Sequence, residues 1–227
     1  NGEASGTFGE SRRLEAVEIR LTGNAANQFD IYYRVHVQNY GWLDWASNGN
    51  PAGSTGFSYR VEAIQIVLAA KGSAAPGDTT RPFVDASAPM VNYRSSVQDI
   101  GWTGIVNNGG TCGTIGRSKR MEAVQISLAN IDGGVDYRAY VQDYGWLPWT
   151  GNGVTSGTIG ESRRMESIEI ALTGNAAEQF DIYYRVHVQN IGWMDWAMNG
   201  EPAGTAGTSY RMEALQIVLV SKGGAAP

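Results

Sequence analysis

A tandem repeat constrains this chain more than any other feature of its sequence. In every full copy, the glycine of a Gly-Trp pair precedes the arginine of an Arg-x-Glu motif by 19 positions. Because this spacing admits no insertion, each copy must fold as one structural unit. We name the copies the half repeat and the first to fourth repeats; they occupy residues 5–21, 32–68, 92–128, 136–172 and 183–219.

The repeats are themselves grouped in threes. Residues 1–76 match residues 152–227 at a constant offset of 151. This longer period predicts a complete three-repeat unit at 88–227 and an incomplete unit of one and a half repeats at 1–71. The segment 72–87, rich in Ala, Pro and Gly, is predicted to be the linker between them. We interpret the chain as a piece of a longer tandem protein.

Composition excludes several classes of protein. The net charge of −5 argues against nucleic-acid binding through phosphate contacts. No apolar run approaches the roughly 18 residues of a membrane span, so we expect no membrane insertion. The single cysteine, Cys112, allows no intrachain disulfide.

The sequence contains no recognisable catalytic or cofactor motif. The two histidines, His36 and His187, share one repeat position, which Ser96 and Tyr140 occupy in other copies. A metal ligand would not be replaced in this way. We therefore expect no enzyme activity, no cofactor and no metal site.

Local patterning predicts an all-β fold. Tyr33, Val35 and Val37 alternate with polar residues, as in a half-buried strand. The segment 60–68 reads as a second strand, and the Gly-Asn stretches at 22–30 and 173–181 as hairpin joints. Three repeats of about 45 residues per unit predict a closed, pseudo-threefold β-prism or β-trefoil-like body. A propeller-like or open array of hairpins is the alternative.

The repeats resemble a known family. The motif Val-Gln-Asn/Asp-x-Gly-Trp, as in 37–42, continues through Gly-x-x-x-Arg-x-Glu-Ala-x-x-Ile-x-Leu, as in 56–68. These residues resemble the ChW repeat (clostridial hydrophobic, with a conserved tryptophan) of secreted and surface proteins in clostridia and related bacteria. The resemblance implies a secreted or cell-surface module with a carbohydrate-binding or adhesive role.

Each full repeat has two tryptophan positions. The first is present in all four copies, and we interpret it as a core anchor: Trp42, Trp102, Trp146 and Trp193. The second is Ile105 in the second repeat. Because isoleucine could fill a core but could not stack on a sugar, both interpretations stay open for the second position. As sugar-stacking residues we select Trp45, Trp149 and Trp196. We expect the second repeat, which has Ile105 at this position, to bind no sugar.

Polar residues near these rings are candidate partners for sugar hydroxyl groups: Asp44, Asp195, Asn39, Asp143 and Asn190. The Asn and Asp residues that follow the Val-Gln pair also suit a turn at a strand end. The Arg-x-Glu motif places both side chains on one face of a strand, and we interpret it as a structural ion pair.

We therefore predict a non-catalytic carbohydrate-binding module or lectin-like adhesin, secreted or at the cell surface and multivalent through its repeats. Its predicted partners are glycans or polysaccharides. The incomplete unit could also close its open edge by self-association. The alternative function is a structural or protein–protein interaction spacer with no sugar site.

Overall fold

The computed structural model describes residues 5–227 and is all-β. The chain divides into two compact units: the first ends at Ala88 and the second runs from Pro89 to Pro227. Each full repeat forms one long antiparallel hairpin with short strands at its margin. The helices described in residues 5–227 are both five residues long, and neither has the length or apolar character of a membrane span.

The first unit contains the half repeat, the first repeat and a short strand after them. Its elements are β1 (Ala16–Val17), α1 (Asn24–Gln28), β2 (Phe29–Val37), β3 (Gly41–Trp42), β4 (Ala46–Ser47), β5 (Ala52–Thr55), β6 (Val61–Ala70) and β7 (Phe83–Asp85).

The second unit contains the second, third and fourth repeats. Its elements are β8 (Met90–Val97), β9 (Gly101–Trp102), β10 (Val106–Asn107), β11 (Cys112–Gly113), β12 (Met121–Ala129), β13 (Gly134–Val141), β14 (Gly145–Trp146), β15 (Thr150–Gly151), β16 (Ser156–Gly157), β17 (Met165–Thr173), α2 (Asn175–Gln179), β18 (Phe180–Val188), β19 (Gly192–Trp193), β20 (Ala197–Met198), β21 (Ala203–Gly204) and β22 (Met212–Ser221).

The predicted strands are confirmed. Tyr33, Val35 and Val37 are fully buried on β2, while the residues between them lie partly in solvent. The second predicted strand is β6, paired along its length with β2. Alternation places one face of each hairpin in the core and leaves the other facing outward.

A β-bulge interrupts this alternation in the second long strand of each full repeat's hairpin. On β22, Val188 pairs with Met212 and His187 with Ala214, so Glu213 is the extra residue. The bulge lets Met212 and Leu215 both reach the core, although they are an odd number of positions apart. Unbroken alternation would place Glu213 on the same face as Leu215, and the bulge removes it from that face.

The repeats of the second unit exchange short strands in a ring. The loop strand of the third repeat, β16, pairs with β12 of the second, and β21 of the fourth pairs with β17 of the third. Loop strand β11 of the second repeat then pairs with β22 of the fourth, which closes the ring. No sheet in residues 5–227 closes into a barrel, and the prism- or trefoil-like arrangement stays a prediction.

Buried tyrosines reinforce each junction. The Ile126 amide of the second repeat donates to the Tyr137 hydroxyl of the third at 3.0 Å. The Ile170 amide donates to Tyr184 at 3.1 Å, and the Ile217 amide to Tyr93 at 3.0 Å. All three tyrosines are at most 1% exposed. Each repeat is therefore completed by a side chain of its neighbour.

Glycine is required where the loop strand crosses the neighbouring bulge. Gly113 has a φ of +102°, and a Cβ there would lie 2.4 Å from the Glu213 carbonyl oxygen. The next amide, of Thr114, donates to that same oxygen at 2.8 Å. A side chain at position 113 would thus break the crossing.

Among residues 5–88, the first unit contains one such junction between repeats, formed by the half repeat and the first repeat. Strand β5 of the first repeat pairs with β1 of the half repeat, and the Ile19 amide donates to the Tyr33 hydroxyl at 2.9 Å. Strand β7 lies parallel to β5. Part of the segment predicted as a linker is therefore packed against the first repeat.

The predicted hairpin joints at the Gly-Asn stretches are wrong. In residues 5–227, β17 pairs with β13 and β21, and β18 pairs with β19, β20 and β22, so the strands flanking the second stretch do not pair with each other. Helices α1 and α2 occupy these stretches instead. Each helix carries the chain from one repeat to the hairpin of the next.

A carboxylate clamps the open end of the hairpin in the first and fourth repeats. Asp181 accepts hydrogen bonds from Lys222 Nζ at 2.8 Å, and from Asn199 Nδ2 and the Gly223 amide at 2.7 Å each. The hydrogen bond from Lys222 is the largest influence, and together these donors lower the pKa of Asp181 from 3.8 to about 2. Asp30 accepts from the equivalent donors Lys71, Asn48 and Gly72, and its pKa is also lowered to about 2.

This clamp predicts acid sensitivity. Because the folded pKa lies below the ordinary value, the clamp stabilises the fold above about pH 4 and loses its effect as the pH falls through 2. The double variant Asp30→Asn/Asp181→Asn should melt a few degrees lower than the parent at pH 7. We expect the difference to shrink toward pH 2 in a pH series of thermal melts. The exposed Asp195→Asn variant is the matched control, and a gap that stays constant with pH would contradict the clamp.

Candidate functional site

The outward face of each hairpin carries an arginine stacked on tryptophan. In the fourth repeat, the Arg185 guanidinium carbon lies 5.0 Å from the ring centre of Trp193 and 4.7 Å from that of Trp196. The first and third repeats have the same arrangement, with Arg34 and Arg138 each 4.9–5.0 Å from both rings. Cation–π contacts at partly exposed sites of this kind contribute about 0.5–1 kcal/mol each.

Each arginine is fixed by a partner on the adjacent long strand. Arg138 Nε donates to Glu169 Oε2 at 2.6 Å, and Arg185 Nε to Gln216 Oε1 at 2.8 Å. Since these partners lie opposite the arginine in the strand register, the hairpin itself sets the position of the guanidinium. This arginine was not among the site residues predicted from the sequence. The signal for it was its recurrence at one repeat position, as Arg34, Arg94, Arg138 and Arg185.

The first tryptophan of each repeat is not the core anchor that the sequence predicted. Trp42 is 40% exposed, and Trp102, Trp146 and Trp193 are half-buried. The short strand β19 pairs with the edge of β18, where Trp193 lies opposite His187 and edge-on to it with ring centres 5.6 Å apart. The buried tyrosines occupy the core instead.

The second tryptophan differs between repeats in its access to solvent. Trp149 is 44% exposed and Trp196 is half-buried. Trp45 is only 7% exposed, contrary to the prediction that it faces a sugar. The segment after β6 covers it: the Trp45 amide donates to the Asp78 carbonyl at 2.9 Å, and Gly77 lies against its indole nitrogen.

The second repeat lacks the second ring. Ile105 is 64% exposed, and Arg94 stacks only on Trp102, at 4.8 Å. A shallow pocket lies between Ile105, Arg94 and Gln125, on the face that carries a second ring in the other repeats. This repeat therefore offers one aromatic ring rather than two.

The Arg-x-Glu motif is confirmed as an ion pair in every copy. The shortest nitrogen–oxygen distances are 2.5 Å for Arg13–Glu15, 2.7 Å for Arg60–Glu62, Arg120–Glu122 and Arg211–Glu213, and 2.8 Å for Arg164–Glu166. In the fourth repeat, His187 Nδ1 also lies 3.2 Å from Glu213 Oε2. Because the bulge directs the glutamate outward, this pair stabilises the hairpin surface next to the tryptophans.

Three of the predicted sugar partners are turn residues. Asn39, Asp143 and Asn190 are exposed and have left-handed φ values of 68°, 65° and 64°. Asn and Asp tolerate this conformation better than other non-glycine residues. Asp143 also pairs with Arg163. The turn conformation alone therefore explains why Asn or Asp occurs at these three positions.

The remaining two predicted partners differ from each other. Asp44 accepts a hydrogen bond from the Arg81 amide at 2.7 Å, which fixes the segment that covers Trp45. Asp195 is exposed beside Trp196 in the sequence. Of the five, Asp195 is the carboxylate left open to solvent next to an accessible ring.

The single thiol lies outside this surface. Cys112 is buried in the ring of the second unit, and burial raises its pKa to about 12. It is therefore protonated at neutral pH, and a neutral thiol is a poor nucleophile. In residues 5–227 no group of three or more His, Cys, Asp or Glu side chains is arranged to hold a metal ion.

No curated protein and no solved structure matches the chain. One family does, described as Clostridial hydrophobic W, at residues 1–23, 36–69, 97–130, 140–174 and 187–221. These five segments include the Gly-Trp strands, the stacked second rings and the Arg-x-Glu bulges, and they cover most of the chain. The protein that carries this outward Arg–Trp surface thus belongs to the ChW repeat family.

Proposed function

We propose that this chain is a non-catalytic, multivalent carbohydrate-binding module of the lectin-like adhesin type, secreted or displayed on a cell surface. The observation that supports the proposal is the pair of accessible second rings, Trp149 and Trp196, each stacked on an anchored arginine. A ring held on one side by a fixed guanidinium pays little conformational entropy when a pyranose stacks on its free surface. The side chains of Arg138, Glu169 and Asp195 supply donors and acceptors for sugar hydroxyls.

Two sugar-binding sites are expected, one in the third repeat and one in the fourth. Trp45 is covered and the second repeat has Ile105, so binding rests on the third and fourth repeats. Two weak sites on one unit raise the apparent affinity for a polymer through effective concentration rather than through new contacts. A polysaccharide should therefore bind better than its short oligosaccharides.

We also propose that the second, third and fourth repeats are related by a near-threefold rotation, as in a β-prism. The ring of strand exchange supports this arrangement, because β11 joins the first and last members of the set. An open row of hairpins would leave these two members apart.

A glycan array, followed by affinity measurement with the best polysaccharide, tests the function. The variant Trp149→Ala/Trp196→Ala should bind at least about tenfold more weakly while remaining folded. Ile105→Trp should strengthen binding by adding a second ring to the second repeat. Tyr210→Ala removes an equally exposed ring away from these repeat positions and is the matched control.

Two results would reject the assignment. Undiminished binding by the double variant would show that the sugar-binding site does not include Trp149 and Trp196. No binding by the parent to any glycan would favour the alternative of a structural or protein–protein interaction spacer, which the open strand edge of the first unit also supports.

A further inference from the structure

In residues 5–227, one long strand has no paired strand along its outer edge, although the Val61 amide at its start donates to the Leu14 carbonyl at 2.7 Å. In residues 5–227, β6 pairs only with β2, whereas β12, β17 and β22 each also receive a loop strand from another repeat. Exposed strand edges that present unpaired backbone groups are ready to bind another strand. Strand β6 is therefore the acceptor edge of an incomplete unit.

The apolar face of β6 is uncovered as well. Ile64, Ile66 and Leu68 are 44%, 53% and 55% exposed. Under the 151-residue offset, Ile64 and Ile66 correspond to Leu215 and Ile217 of β22, both 0% exposed. Closely similar strands thus bury this face in one unit and leave it in solvent in the other.

The covered strands show what this face is shaped to receive. On β22, the Ile217 amide donates to the Tyr93 hydroxyl at 3.0 Å, and the Ile217 carbonyl accepts from the Gly109 amide at 2.7 Å. The Glu213 carbonyl accepts from Thr114 at 2.8 Å. The corresponding groups on β6 belong to Ile66 and Glu62, and no neighbouring repeat supplies these partners in residues 5–227.

We propose that the β6 face binds a ChW repeat of another polypeptide segment, one that carries an unoccupied loop strand with its crossing glycine and its buried tyrosine. The tyrosine hydroxyl of the partner would accept from the Ile66 amide, and its loop strand would pair antiparallel with Ala63 and Ile64. The second repeat of this chain, which covers β22, is the template for such a partner. This inference does not depend on the carbohydrate proposal.

A second copy of this chain fits the face less well. Loop strands β5, β11, β16 and β21 are already paired. Ser5 and Gly6 correspond to the loop strand Ser156–Gly157, and Gly6 has a similar φ of 127° with no atom near the Cβ position. The half repeat, however, has no tyrosine to satisfy Ile66, so its loop strand would cover only part of the face.

A segment like residues 89–151 would satisfy three openings of the first unit together. Its loop strand would pair with β6, and its counterpart of β12 would receive Ser5 and Gly6. Its counterpart of β13 would supply the hairpin partner of the half repeat, as β13 does for β17 in the second unit. Because one such segment would fill all three openings, a ChW repeat is a better candidate for the partner than an unrelated single strand.

The test mixes the full chain with a polypeptide of residues 89–151 as the donor. We expect a 1:1 complex by native mass spectrometry and hydrogen exchange at the Ile66 amide slowed at least about tenfold. Gly113→Val in the donor should abolish both effects, because a Cβ there meets the carbonyl of the acceptor bulge. Tyr93→Phe in the donor should weaken them, because the Ile66 amide would then have no acceptor.

Variants of the full chain provide the matched controls. Ile66→Lys should abolish the complex, since it would place a charge beneath the donor. Ile100→Lys, which changes an equally exposed isoleucine elsewhere, should not affect it. Failure of the unmodified donor to slow exchange at Ile66, or equal effects of the Gly113→Val donor, would overturn the proposal. Dimers of the chain alone that protect Ile66 would assign the face to a second copy instead.

Discussion

Replacing Tyr184 by alanine should lower the free energy of unfolding of the second unit by about 3–5 kcal/mol, the range for truncating a large buried ring. Tyr184 is 0% exposed and joins two repeats. Its hydroxyl accepts from the Ile170 amide at 3.1 Å and donates to the Glu201 carbonyl. Alanine would leave a cavity, the buried Ile170 amide without its acceptor, and the Glu201 carbonyl without its donor. Denaturant unfolding of the full chain measures the loss.

Two further variants separate the packing of this ring from its hydrogen bonds. Tyr184→Phe keeps the ring and should cost about 1–3 kcal/mol, the penalty for buried groups left unsatisfied. Trp193→Ala removes a larger but half-buried ring and should cost less than Tyr184→Ala. A larger loss for Trp193→Ala would show that the tryptophan, as the sequence predicted, anchors the core.

Local features of this fold were predictable from the sequence. Alternation around Tyr33 and the β-branched segment 60–68 are properties of short windows, and both became strands. The Arg-x-Glu ion pair was predictable for the same reason, because two residues apart on a strand are neighbours. The all-β class follows from these elements and from the regular spacing of the repeats.

The bulge and the tyrosine junctions could not be predicted from short stretches of sequence. Glu213 lies two positions before Leu215, the spacing of one strand face, and only the register against β18 shows that Glu213 is an extra residue. Tyr93 and Ile217 are 124 positions apart, yet they share a hydrogen bond. Contacts between repeats depend on how the unit closes, which a local pattern does not encode.

The candidate site was predicted in part. The second tryptophans were selected because they vary between repeats, and Trp149 and Trp196 are accessible. Trp45 and Trp196 share the local sequence Leu/Met-Asp-Trp-Ala, but Trp45 lies beneath the segment 72–87, which has no counterpart after the second or third repeat. An insertion elsewhere in the chain changed its environment, so its repeat position alone could not predict its exposure.

Amide hydrogen exchange tests most directly the claim that each repeat is completed by its neighbour. In dilute full chain, the amides of Ile126, Ile170 and Ile217 should exchange only when the second unit unfolds, because each donates to a buried tyrosine of the adjacent repeat. The equivalent amide of Ile66 faces an open edge and should exchange at least about 1000-fold faster, given unfolding free energies of about 5 kcal/mol or more. Protection of Ile66 equal to that of Ile217, or exchange of the other three at the rate of Ile66, would contradict the account.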